Sequence, residues 1–139
     1  MKIITKVLAG SALSACMVLS GEAMAACPGT PLNPGALSST LTNNTVCATR
    51  NGERWQELHQ SNGDLVDYKM GPGHPVDPSE KVGTWSIDSP TRAVVYNYNP
   101  TDIYRYTVSA NGGTSYSFCG IGGAPNIDVT IKSGGGACP

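Results

Sequence analysis

From Val82 to Cys119 the chain alternates large apolar or aromatic residues with small polar ones, interrupted by clusters that reverse the chain. Read with a period of two, Trp85, Ile87, Val94, Tyr96, Tyr98, Tyr104, Tyr106, Val108, Tyr116 and Phe118 share one set of faces. Thr84, Ser86, Ala93, Asn97, Arg105, Thr107, Ser115 and Ser117 fill the other. Ser89-Pro90-Thr91, Asn99-Pro100-Thr101-Asp102 and Asn111-Gly112-Gly113 supply the turns, through preset φ values and local side-chain hydrogen bonding. This stretch therefore predicts an antiparallel meander with one aromatic face.

The start of the chain predicts export. Lys2 and Lys6 precede the apolar run VLAGSALSACMVL, and Ala23-Met24-Ala25 has the small-residue pattern of a cleavage site, so residues 1–25 read as a secretory signal peptide. The run is too short and too rich in Gly and Ser for a membrane span, so no transmembrane segment is expected. Leu13-Ser14-Ala15-Cys16 resembles a lipobox, which makes lipid anchoring through Cys16 the less favoured alternative to release.

Residues 26–139 suffice for a single β-rich domain. Without Lys2, Lys6 and Glu22 the nine basic and ten acidic residues of the chain become seven and nine, with no run of one sign. Nucleic acid and anionic membrane are poor partners for such a surface, because both select clustered Lys and Arg.

Cleavage leaves Cys27, Cys47, Cys119 and Cys138, an even number in an exported chain and hence two expected disulfides. Sequential pairing would close two short loops. Nested pairing, Cys47 with Cys119 and Cys27 with Cys138, would close longer ones and remove more unfolded-state entropy. Cys47 shares a strand face with Thr45 and Thr49, and Cys119 with Ser115 and Ser117, which favours the nested form if those strands are neighbours.

Ala26 to Ser39, with three prolines and two glycines, reads as an irregular arm. Leu37 to Ala48 reads as a first strand with a bend at Asn43-Asn44. Glu53 to Met70 is either a short helix ending before Gly63 or a hairpin turning through Ser61-Asn62-Gly63, and the hairpin is preferred. Met70 to Ser79 is a Pro/Gly loop, and Ile127 to Lys132 a last short strand. Seven or eight strands without a long helix predict an all-β fold closing into a small barrel or barrel-like sandwich.

Catalytic constellations are not expected. His59 and His74 lack metal-ligand spacing, disulfide cysteines are removed as ligands or nucleophiles, and Gly120-Ile121-Gly122-Gly123 lacks the helix and Lys of a phosphate cradle. No metal or cofactor is therefore expected. His74 and Asp77, in the Pro-rich loop, are the one pair suited to acid–base or binding work. Trp85, Tyr96 and Tyr106 are expected in the core, with Tyr98 and Tyr104, beside a turn, as candidate binding residues.

Gly83-Thr84-Trp85 resembles the G-x-W signature of lipocalins and avidins, which in those families opens the first barrel strand. Here 57 residues of the expected mature chain precede Gly83, so no ligand residues are carried across. The series TVC, RWQE, VGTWS and YSFC is similar to small uncharacterised exported proteins of Gram-negative bacteria, which implies export and a β-rich domain. The leading expectation is a non-enzymatic exported binding protein acting through loops and sheet edges on a protein or glycan surface, as in surface attachment. Alternatives are a barrel enclosing a small apolar ligand and an inhibitor of a hydrolase using the Gly71 to Asp77 loop. Ile127 to Lys132, as an edge strand, would offer a route to homo-oligomers.

Overall fold

A computed structural model describes residues 27–68 and 79–139. The expected signal peptide, the lipobox-like sequence at Cys16 and the segment carrying His74 and Asp77 lie outside them.

The described residues form a short helix, α1 (Pro34–Leu41), and eight strands: β1 (Asn44–Arg50), β2 (Glu53–His59), β3 (Asp64–Tyr68), β4 (Ser79–Asp88), β5 (Ala93–Asn99), β6 (Asp102–Gly112), β7 (Ser115–Ile121) and β8 (Ile127–Ser133). Each strand pairs antiparallel with the next, and β8 returns to β1 to close an up-and-down barrel. The expected meander is β4 to β7, and the hairpin preferred for 53–70 is β2 and β3.

Closure corrects the idea of an exposed edge at Ile127 to Lys132. Strand β8 lies between β7 and β1, so its backbone donors and acceptors face partners on both sides. The outward residues Thr84, Asn97, Arg105, Asp128 and Thr130 are exposed and polar. A lipid-facing barrel carries an apolar outer band at such positions. Among the described residues no helix is long and apolar enough to cross a membrane.

The expected strand over Leu37 to Ala48 is corrected to a helix followed by β1. Asn33 caps α1, its Oδ1 accepting from the Ala36 amide at 2.9 Å, and Pro34 occupies the first turn, where a missing N–H costs nothing. Leu37 and Leu41, four apart, then share one helix face and are wholly buried. These local signals outweigh the β-branched content of the segment. The helix packs on β1 and β4 and closes one end of the barrel; the Leu32 amide, just before it, donates to the Val108 carbonyl at 2.8 Å.

The disulfides are Cys27–Cys119 and Cys47–Cys138, each with Cα atoms 5.8 Å apart. This crossed arrangement overturns the nested preference. With β8 between β1 and β7, Cys47 and Cys119 are two strand spacings apart, about 9–10 Å across the sheet, and offset along it as well, since Cys47 is level with Thr130 and Thr130 with Ser115, so no disulfide can span them. Instead each terminal segment is stapled to the outside of the barrel. The N-terminal arm lies against β6 and β7. The C-terminal tail crosses β1 and β2, where Thr45 Oγ1 donates to the Gly134 carbonyl at 2.6 Å and the Cys138 amide donates to Gln56 Oε1 at 2.6 Å. Bonds of this kind form and persist outside the reducing cytoplasm.

Gly83-Thr84-Trp85 has a packing explanation in β4. A Cβ on Gly83 would sit 2.5 Å from the Asn97 carbonyl oxygen and 3.1 Å from Tyr98 Cα, both backbone atoms of β5. Trp85 is buried at the helix-covered end, its indole N–H donating to the Gln60 carbonyl at 2.9 Å. Gly83→Ala is expected to lower stability by about 1–3 kcal/mol, because only strand movement relieves that overlap. Denaturant titration checks it: an unchanged midpoint would mean that β4 and β5 separate at no cost.

Candidate functional site

The end opposite α1 is open. There the ends of β1 and β5 and the starts of β2, β6 and β8 surround a cavity of about 460 Å³. A volume in this range suits a small organic ligand. Its walls are aromatic, from Trp55, Tyr96, Tyr98, Tyr104, Tyr106 and Phe118, and aliphatic, from Val46, Ala48, Ile127 and Val129. Arg50, Asp102 and Pro125 complete the lining at the strand ends.

The rings are held by one another. Tyr96 stacks on Tyr98 and on Phe118 at centroid distances of 6.4 Å, and meets Tyr106 edge-on at 5.9 Å. Such offset and edge contacts match the positive edge of one ring to the negative face of another. The wall is thus preorganised.

Inward of the exposed Asp102, a second carboxylate interrupts the apolar lining. On β2 the alternation puts Trp55, Glu57 and His59 inside the barrel and Arg54, Gln56 and Leu58 outside. The Tyr98 hydroxyl lies 2.9 and 2.8 Å from the two Glu57 oxygens and donates to the carboxylate. Asp67 on β3 is directly opposite Glu57 in register. Burial pushes the Glu57 carboxyl up to about 7; the Tyr98 hydrogen bond opposes that rise and the charge of Asp67 adds to it. Burial, reinforced by the nearby carboxylate, holds the Tyr98 phenol well above its ordinary value.

Behind Tyr96 a second polar chain is fully buried. His59 Nδ1 lies 3.1 Å from the Glu57 carbonyl and Nε2 lies 2.7 Å from the Tyr96 hydroxyl. A carbonyl only accepts, so Nδ1 carries the proton and the Tyr96 hydroxyl donates to Nε2. Burial brings the His59 imidazole down to about 4, which keeps it neutral in that role, although its backbone hydrogen bonds favour the charged form. Its ring also meets Trp85 edge-on at 5.1 Å. The pair fixes the orientation of Tyr96 and hence of the cavity wall.

The two tyrosines singled out from sequence come together here. Tyr98 is half-buried and holds Glu57; Tyr104, 6.0 Å from Tyr98 between ring centroids, is 37% exposed. Trp85 and Tyr106 are buried, as expected of core residues, and Tyr96 is both core and cavity wall. Sequence reasoning missed Glu57 altogether. The signal was present in RWQELHQ, where a period of two places Glu57 between Trp55 and His59 on one face. No group of His, Cys, Asp and Glu able to hold a metal ion occurs among the described residues.

No family model, curated protein or solved structure matches this chain.

Proposed function

We propose that this protein acts outside the cytoplasm as a binding protein that encloses a small, largely apolar ligand in the open end of its barrel. The observation that carries this reading is the cavity itself, with a rigid aromatic wall and the half-buried carboxylate of Glu57 within it. Interiors normally pack to near-crystal density, and a space of about 460 Å³ left within a small domain forgoes contacts that filling it would supply. Occupancy by a ligand restores them. Of the readings open from the sequence, the enclosed ligand has a specific set of residues behind it.

The test is titration with N-phenyl-1-naphthylamine, an uncharged dye that brightens on leaving water. The disulfide-bonded protein should bind it saturably. Ala48→Phe, which projects a ring from β1 into the cavity, should weaken dye binding by about tenfold or more while leaving the far-ultraviolet circular dichroism unchanged. Absence of dye binding by the folded wild-type protein, or full binding by folded Ala48→Phe, would overturn the reading.

A further inference from the structure

We propose that the ligand is an organic ammonium ion, its apolar body lying between Tyr96, Tyr106 and Phe118 and its charged nitrogen against Glu57. This deepens the cavity reading and rests on it. A neutral apolar ligand needs no carboxylate in its pocket, and burying one is costly unless it is paired or protonated. Arg50 lines the same cavity but its charge acts on Tyr106, whereas the charge acting on Glu57 is another carboxylate, Asp67, which repels a second negative charge instead of neutralising it. A ligand cation would supply the missing counter-charge. The Tyr98 hydroxyl already occupies the donor position on Glu57, so it orients the carboxylate without discharging it. The surrounding rings add to the same preference, because the faces of Trp, Tyr and Phe attract cations in a desolvated site. An anion would meet both Glu57 and the negative ring faces.

The groups facing Glu57 define how binding depends on pH. They are Asp67 from β3 and Tyr98 from β5; Tyr96, Tyr106, Asp102 and Arg50 line the same cavity from β5, β6 and β1, while β7 and β8 contribute the apolar Phe118, Ile127 and Val129. His59, the next inward residue on β2, is turned to Tyr96 and is neutral above a pH of about 4. The Tyr106 phenol, pushed up to about 12 chiefly by burial, stays protonated throughout. Glu57, raised to about 7, changes charge near neutrality, and an aliphatic ammonium, with a pKa of about 10, does not. Below a pH of about 7 the ammonium must displace the Glu57 proton into solvent, and its affinity falls by up to about tenfold per pH unit.

The experiment is displacement of N-phenyl-1-naphthylamine by tryptamine and by tryptophol, which differ only in ammonium against hydroxyl. At a pH of about 8, tryptamine should displace the dye at about tenfold lower concentration or less. Its affinity should drop about 30-fold between pH values of about 8 and 5.5, as Glu57 takes up its proton, while that of tryptophol changes little. Glu57→Gln, an isosteric change that keeps a partner for Tyr98, should bring the two compounds level. Dye binding together with tryptophol equal to or tighter than tryptamine, or tryptamine tightening as pH falls, would overturn the ammonium assignment and leave the cavity reading in place. Failure of the wild-type protein to bind the dye would remove the cavity reading itself. The pH profile of the wild-type protein decides the matter independently of how Glu57→Gln folds.

Discussion

Replacing Cys47 and Cys138 together by serine, with the other disulfide left in place, is expected to cost about 3–4 kcal/mol of folding stability, and the same change at Cys27 and Cys119 about as much. The loops closed are 91 and 92 residues long, and the chain-entropy model assigns a crosslink of that span about 4.6 kcal/mol, acting mainly on the unfolded chain. Domains of this size are stable by only about 5–15 kcal/mol, so either loss is a large fraction of the total. The two costs should not add, because the loops overlap over most of the barrel: with one crosslink in place, the second constrains a chain already restricted. Denaturant titrations of the wild-type protein and both double variants measure this. A loss below about 1 kcal/mol for either pair would show that the unfolded chain is already compact enough to hold those termini together.

The second large effect is an opposition between two buried groups on β2. Glu57 titrates near 7 in the folded protein against 4.5 in its ordinary state, so the folded state holds a proton that the unfolded state has lost. Its contribution is at its best below a pH of about 4.5 and falls, by about 3 kcal/mol in all, as pH rises through 7. His59 does the reverse. It titrates near 4 folded and 6.5 unfolded, so stability is lost, again by about 3 kcal/mol, as pH falls from 6.5 through 4. Between pH values of about 4.5 and 6.5 the slopes cancel, and these two groups leave the wild-type protein with a nearly flat stability profile.

Glu57→Gln unmasks the histidine. The variant should match the wild type at a pH of about 4, gain stability through the next two or three units, and exceed it by about 3 kcal/mol at a pH of about 8. A substitution that stabilises the fold while abolishing preference for an ammonium ligand is the behaviour expected of a residue kept for binding at a cost in stability. Urea titrations across this range test it. Parallel wild-type and variant profiles would show that the Glu57 carboxylate is better solvated in the cavity than its burial implies.

Local pattern carried much of the fold. The alternation around Trp85, Tyr96, Tyr106 and Phe118 marked both the strands and their inner face, since successive side chains of a strand point to opposite sides whatever the strand packs against. Asn99 in its turn accepts from the Thr101 and Asp102 amides at 2.9 and 3.0 Å, a contact within four residues that composition already signals. The strand expected over Leu37 to Ala48 begins as helix for a related reason: the Asn33 cap, Pro34 and the Leu37/Leu41 spacing are equally local signals, and they prevail over the Thr and Val content.

The sequence by itself therefore determined which stretches extend, where they reverse, which face of each is apolar, and that the cysteines pair at all. Only the tertiary structure decided who meets whom. Closure placed β8 between Cys47 and Cys119 and so sent each cysteine to a terminal segment instead. It also brought Glu57 and Tyr98, from β2 and β5, together in one cavity. Side-chain direction along a strand is a property of the strand, whereas disulfide partners, buried charge and enclosed volume belong to the closed barrel, and no stretch of sequence shorter than the barrel contains them.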